Sequence, residues 1–334
     1  MKKILSAFFI LLLLSTTAWA EQPVVGLVIG PSGLGDLSFN DMAYGGVRKA
    51  QQEFNFKLII LEPEDIGKSE FNDLKNLAEK SDIVVFLGSQ FQLVLPKLAR
   101  LYPNKKFMMI GVPVESGPNI CAAVFKQYEG SFLAGALAAY MTKTNTIGFI
   151  GGVNVPPIQQ FEKGFYDGAK YVNPEVKVLI DYVSPAGDFS GFNDVKKGYD
   201  IAINQYKNNA DIIFSAAGIT GNGVIEAAAN TGNYAIGVDS DQDSVAKGTV
   251  LTSMIKRMDI AAYKEIKRVM EGNFSAGTAY YGLKDQGVKL SDMKYTRSKI
   301  SEDILKQIDI IKNKIINGEI PKDKKMHAKN TIRK

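Results

Sequence analysis

The stretch from Val24 to Arg48, VVGLVIGPSGLGDLSFNDMAYGGVR, changes character twice. The apolar run Val24 to Ile29 predicts a buried strand, a Gly/Ser loop follows from Gly30 to Asn40, and a helix opens near Asp41. In open α/β sheets, ligands bind at the carboxyl ends of parallel strands. A loop in this place delivers Asp36, Ser38, Phe39 and Asn40 to such a site. An aromatic flanked by Ser and Asn in a loop offers a stacking face beside polar groups. It reads equally as a hydrophobic contact that pins the loop to the helix.

Outward from this stretch the grammar repeats. Strands are expected at Lys57 to Leu61, Asp82 to Leu87, Lys106 to Gly111 and Asn119 to Phe125, with helices at Glu70 to Lys80 and Phe91 to Tyr102. That alternation predicts right-handed βαβ units around a parallel sheet. A Gly/Ala-rich helix from Glu129 to Met141 implies close packing, and then the pattern restarts. Strands at Thr146 to Gly151, Val176 to Asp181, Ala210 to Phe214, Tyr234 to Val238 and Val250 to Ile255 alternate with helices at Ile158 to Val172, Phe192 to Tyr206 and Gly221 to Asn230. The helix Asp259 to Glu271 comes next, then an irregular stretch into Tyr280 to Leu290, and a Lys/Ile helix from Ser301 to Asn317.

Two series with one grammar predict an α/β chain of two Rossmann-like lobes. Without a long linker they must be joined by short crossings, expected near Phe125, Ile255 and Ala276. Lobe 1 then comprises residues 21–125 and 256–276, and lobe 2 residues 126–255 and 277–321. Such an architecture forms a cleft that closes by a hinge.

Met1 to Ala20 carries Lys2 and Lys3, an apolar run from Ile4 to Leu14, and Ala18-Trp19-Ala20. This is the pattern of a secretory signal peptide cleaved after Ala20. No cysteine lies near that site, so an exported, periplasmic protein without a lipid anchor is expected. The 334-residue chain is formally +5, and residues 322–334 hold six Lys/Arg against one acid. The basic character therefore belongs to a tail. Nucleic-acid binding needs a basic face with stacking aromatics on a folded element, and none is evident. Cys121 is the only cysteine and sits in an apolar strand, where it reads as a buried structural thiol. His327, the only histidine, lies in the tail. That removes Ser-His-Asp and Cys-His catalysis and histidine-ligated zinc.

Gly237-Val238-Asp239-Ser240-Asp241-Gln242-Asp243 follows an apolar strand. Asp239 ends that strand and is expected in the cleft, where its carboxylate accepts hydrogen bonds from ligand hydroxyls. Ser240 or Asp241 is expected to cap a following helix. A calcium loop is excluded, because Ser244 stands where Gly is needed and Val250 where the bidentate Glu belongs. Lys256, directly after a strand at a lobe crossing, can donate to ligand oxygens, pair with Asp239, or be a solvated surface lysine. Ala217-Gly218-Ile219-Thr220-Gly221 lacks the Lys-Ser/Thr of a P-loop. Gly218 suits close backbone approach to a ligand or a helix start. Phe192 is a second loop aromatic. With Phe39 it can sandwich a flat ring, each stack contributing about 1–3 kcal/mol by analogy with bases, or either ring is simply packed.

The order Ser38-Phe39-Asn40, Glu129-Gly130-Ser131-Phe132-Leu133-Ala134-Gly135, Ile150-Gly151-Gly152, Ala217-Gly218, Thr220-Gly221, Gly237-Val238-Asp239, Asp241-Gln242 and Leu251-Thr252-Ser253-Met254-Ile255-Lys256-Arg257 resembles the basic membrane protein family. These are substrate-binding proteins of ABC importers, similar to purine nucleoside receptors. The match runs from about Val24 to Pro321. The resemblance implies a type I periplasmic-binding-protein fold that delivers a small-molecule ligand to an ABC permease in the inner membrane. In nucleoside-binding relatives the Phe of Ser-Phe-Asn stacks on the base, and the Asp and Lys matching Asp239 and Lys256 engage the ribose. Where such relatives carry acids at the ends of the first and fourth strands, this chain has Gly30 and Gly111.

The leading expectation is a monomeric, non-enzymatic receptor for a purine nucleoside, with no cofactor, no metal and no nucleic-acid partner. Its ligand-binding residues are Asp36, Ser38, Phe39, Asn40, Phe192, Gly218, Asp239 and Lys256. The altered acids also admit a free purine base or riboflavin. A ligand sensor and a nucleoside-processing enzyme are the rivals from other classes.

Overall fold

The computed structural model describes residues 22–62 and 71–320. The expected signal peptide and basic tail, with His327, lie outside them. The chain runs β1 (Val24–Val28), α1 (Phe39–Phe54), β2 (Lys57–Leu61), α2 (Phe71–Lys80), β3 (Ile83–Leu87), α3 (Leu95–Leu101), β4 (Lys106–Ile110) and β5 (Ile120–Phe125). A second series follows with α4 (Gln127–Met141), β6 (Thr146–Val153), α5 (Pro156–Val172), β7 (Lys177–Ser184), α6 (Val195–Lys207), β8 (Ile212–Ala216), α7 (Thr220–Thr231), β9 (Tyr234–Asp239) and β10 (Val250–Lys256). Then come α8 (Met258–Met270), β11 (Gly277–Tyr281), β12 (Val288–Leu290) and α9 (Glu302–Asn317).

These strands make two sheets of six, ordered β2-β1-β3-β4-β5-β11 and β7-β6-β8-β9-β10-β12. The pairings are parallel except β12, which runs antiparallel to β10. Each sheet is the centre of one lobe, in the type I periplasmic-binding-protein arrangement. In each, the order reverses beside the first strand, between β1 and β3 and again between β6 and β8. A crevice opens at such a switch point because successive crossovers leave to opposite faces. The strand chemistry matches these positions. Central β3 (IVVFL) is buried at every residue, as parallel strands covered on both faces must be. Edge β2 (KLIIL) is exposed at Lys57 and Ile60.

Helix α4 is buried nearly throughout. Gly135 and Gly168 let it lie directly on α5, since a Cβ on either would strike a backbone carbonyl of the other helix, at Phe165 or Phe132. Cys121 is buried in β5, and burial raises its thiol pKa far above the ordinary value.

Three expectations are corrected. The helix expected from Phe91 is a short 3₁₀ turn at Ser89–Phe91 followed by α3, whose start is marked by Pro96. Phe192 belongs to a 3₁₀ turn at Phe189–Phe192, and α6 begins only after Asp194, whose carboxylate accepts from Lys197 N. The stretch Tyr280 to Leu290 is divided between the two sheets. Because β11 pairs with β5, the third crossing lies between Tyr281 and Val288, not near Ala276. Its turn is held by Asp285, which accepts from the amides of Gly282 and Gly287 at 2.9 Å each.

Candidate functional site

The loops after β1, β3, β6, β8 and β9 converge between the lobes on a cavity of about 90 Å³. Both switch points therefore open onto the same space. Phe39, Asn40, Gly218, Phe192, Asp239 and Lys256 all line it. Asp36 and Ser38 stand behind it.

Phe39 opens α1 instead of lying in the loop. Its ring borders Gly111, a residue in left-handed backbone at φ 108°, and a Cβ there would come within 3.2 Å of the ring edge. The ring occupies space that any side chain at position 111 would contest. Asn40 is committed locally. Its Oδ1 accepts from Gly30 N and its Nδ2 donates to Gly33 O, each at 2.9 Å, which ties the loop to the helix start. Gly30 is accordingly a close approach, since a Cβ would sit 2.9 Å from Asn40 Oδ1.

Asp36 is fully buried and caps α1. Its carboxylate accepts from Ser38 N and Asn40 N at 2.9 Å and from Asp41 N at 3.2 Å. These are the orphan amides of a helix N-terminus, and a carboxylate there also complements the helix dipole. Burial pushes the Asp36 carboxyl up to about 6, against the downward pull of those three hydrogen bonds. Ser38 Oγ points across the cleft, 3.1 Å from Asp239 Oδ2 and 3.3 Å from Val238 O.

Asp239 ends β9 in the left-handed region at φ 66°. Its Oδ2 meets Ser38, while Oδ1 is buried without a hydrogen bond and faces Lys256 Nζ at 3.4 Å. Lys256, the last residue of β10, is buried as deeply. Its ammonium lies 5.0 Å from the Phe39 ring centre, 5.3 Å from Phe161 and 5.5 Å from Phe125. A desolvated cation over aromatic faces is stabilised by about 2 kcal/mol or more. The surface-lysine reading of Lys256 is thereby removed. No helix follows β9, so Ser240 and Asp241 cap none. Ser240 Oγ donates instead to Leu37 O in the other lobe, and Asp241 Oδ1 accepts from Asp243 N at 3.1 Å.

Phe192 lies against Gly152, where a Cβ would meet its ring at 2.5 Å. Gly218, at φ 58°, lets the loop after β8 pass beside Ser32 and the Phe192 carbonyl. Sequence reasoning missed Phe161, Gln90 and Pro157, which also line the cavity. Phe161 sits mid-helix with core spacing, and only the docking of α5 beneath the cleft turns it toward Lys256. The chemistry offered is an apolar, aromatic chamber with a buried carboxylate and a buried ammonium paired at 3.4 Å on its wall.

The sequence profile of the Bmp family, described as PnrA-like ABC transporter substrate-binding proteins, matches residues 23–325. Among curated relatives, Basic membrane protein A of Borreliella burgdorferi is 34% identical over 322 residues, covering 93% of this chain and 91% of that protein. The CD4+ T-cell-stimulating antigen of Listeria monocytogenes is 32% identical over 324 residues, covering 89% and 87%. Among solved structures, an ABC transporter solute-binding protein from Aeropyrum pernix superposes with a TM-score of 0.82 at 27% identity, covering 89% of this chain and 92% of its own.

Proposed function

The chain belongs to the Bmp family of PnrA-like ABC-transporter substrate-binding proteins, and from that premise we propose that it captures a purine nucleoside between its lobes and presents it to a membrane permease. The observation that carries this reading is the buried Asp239–Lys256 pair, 3.4 Å apart on the cavity wall beside the Phe39 ring. Asp239 Oδ1 is ion-paired with Lys256 and accepts no hydrogen bond from another protein group, and a sugar hydroxyl at the cavity wall adds one in charge-assisted form. Lys256 donates to a neighbouring sugar oxygen. Phe39 and Phe192, on opposite lobes, enclose the ring.

Asp36 and Ser38 serve the ligand indirectly in this reading. Asp36 fixes the start of α1 and so the place of Phe39; Ser38 orients Asp239. Asn40 and Gly218 shape the wall through their backbone and committed amide. Export by the N-terminal segment, monomeric action and binding without turnover complete the proposal.

The cavity of about 90 Å³ is below the roughly 300–1,000 Å³ of pockets for drug-sized ligands. A nucleoside therefore enters with the lobes further apart than they are here. The same small volume favours a free purine base as the second reading, although a base brings no sugar hydroxyl to Asp239. Calorimetric titration with inosine, hypoxanthine, ribose and riboflavin separates these. Binding of inosine well above hypoxanthine supports the nucleoside; the reverse order supports the base. Inosine left intact after prolonged incubation with the protein supports binding without catalysis, and release of hypoxanthine overturns it.

A further inference from the structure

The two lobes touch through polar groups that involve no ligand. In lobe 1, the Leu37 carbonyl accepts from Ser240 Oγ and, at 3.2 Å, from Gln242 Nε2 of lobe 2. One residue further on, Ser38 Oγ shares its proton between Asp239 Oδ2 at 3.1 Å and Val238 O at 3.3 Å. Four polar side chains or carbonyls of one lobe thus meet two consecutive residues of the other.

Two independent features mark this contact as built. Leu37 in lobe 1 and Asp239 in lobe 2 each adjoin a residue of this contact, and both are non-glycine residues in left-handed backbone, at φ 53° and 66°. Such conformations cost free energy and persist where the surroundings over-determine them. Leu37 leaves its side chain about half exposed and contributes its carbonyl. The second feature is Gln242, buried and bonded on three sides. Its backbone N donates to Ser253 Oγ at 3.0 Å, its Oε1 accepts from Val238 N at 2.9 Å, and its Nε2 reaches Leu37. Gln242 therefore grips the backbone immediately before Asp239 with one end of its amide and the opposite lobe with the other.

We propose that Ser38, Ser240 and Gln242 are positioning residues, a lobe-to-lobe latch that orients the Asp239 carboxylate and biases the cleft toward closure before a ligand arrives. Ser38 occupies Oδ2 and so leaves Oδ1 as the oxygen that a ligand donor meets. The latch forms only when the lobes are together. Closure and the final orientation of Asp239 are then one event. A ligand finds the cleft partly pre-organised, and its dissociation requires the latch to break. The effect on affinity rests on the nucleoside reading of Asp239, whereas the effect on closure does not.

The test uses spin labels at Leu93→Cys and Lys196→Cys, strongly exposed positions in lobe 1 and lobe 2, with the native Cys121 thiol buried. The distance distribution of the ligand-free protein should be dominated by a short, closed component. Ser240→Ala removes one latch donor and should lower the closed-to-open ratio roughly three- to tenfold, the worth of one net hydrogen bond. Ser240→Thr retains the hydroxyl and should restore closure; Val245→Ala, in the same segment but outside the latch, should leave it unchanged. The dissociation rate of inosine should rise with Ser240→Ala by a similar factor. An unaltered distance distribution in Ser240→Ala, or equal opening by the Ala and Thr variants, overturns the latch. Failure of inosine to bind any variant, including the parent, counts against the nucleoside reading, and the ligand-free distances still decide the latch.

Discussion

Asp239→Asn keeps the size of the side chain and an oxygen for Ser38, but removes the charge. Two consequences follow, and they separate. The first is on ligand binding. With the Asn oxygen kept on Ser38, its Nδ2 replaces the acceptor at Oδ1; a hydrogen bond to a charged acceptor contributes about 1.5–3 kcal/mol, so its loss should weaken nucleoside binding about 10- to 100-fold. The second is on the fold itself. Lys256 is buried, 3.4 Å from the lost charge, and removing one partner of a buried pair destabilises by about 3–5 kcal/mol. The three aromatic rings around the ammonium offset part of this, so the lower figure is expected.

The variant Asp239→Asn with Lys256→Met distinguishes the two effects. Replacing a buried pair by apolar or neutral groups is often neutral or stabilising, so the double variant should regain most of the stability in a denaturant melt and none of the affinity in a calorimetric titration with inosine. A single variant that binds inosine within threefold of the parent refutes the assignment of Oδ1 to the ligand. Recovery of affinity in the double variant refutes it equally.

Phe39→Ala should weaken inosine binding by about 1–3 kcal/mol through lost stacking, read by titration, and an unchanged affinity would assign the ring to packing alone. Gly111→Ala places a Cβ on left-handed backbone against the Phe39 ring, and should cost about 1–3 kcal/mol of stability in a thermal melt as well as displacing the ring. Asp36, with its carboxyl raised from 3.8 to about 6 by burial, takes up its proton more readily folded than unfolded. Its contribution to stability is therefore complete below about pH 4 and lost as pH rises through about 6, at most about 3 kcal/mol. Asp36→Asn should flatten that part of the pH–stability curve; parallel curves for parent and variant from pH 4 to 7 would refute the assignment.

The fold was legible because its signals are local. Runs such as Ile83–Leu87 and Ile212–Ala216 can be little else than buried parallel strands, and the restart after α4 announces a second lobe. Element ends were less so. Phe192 carries helical spacing with Tyr199, but the Asp194 cap shows that the helix starts after it. The division of Tyr280 to Leu290 between two sheets depends on which edge lies within reach, a matter of tertiary geometry. In the site, Phe39, Asp239 and Lys256 announced themselves by lying at strand ends and loop junctions. Asp36 did not disclose its role, because a capping acid and a ligand-binding acid look alike in a glycine-rich loop. Phe161 gave no signal at all, since helical periodicity marks core and cavity wall identically. The latch was hidden for another reason: Ser240 reads as a helix cap, and only the facing Leu37 carbonyl gives it a different partner.

The central claim is that the cleft takes a purine nucleoside through the Asp239 carboxylate and two phenylalanine rings. The most direct measurement is the mass and ultraviolet–visible spectrum of the small molecule released when the freshly purified, full chain is denatured. The account predicts a purine nucleoside, recovered from the parent and much reduced in Asp239→Asn. A flavin spectrum, a sugar-free base, or a nucleoside retained equally by Asp239→Asn would contradict it.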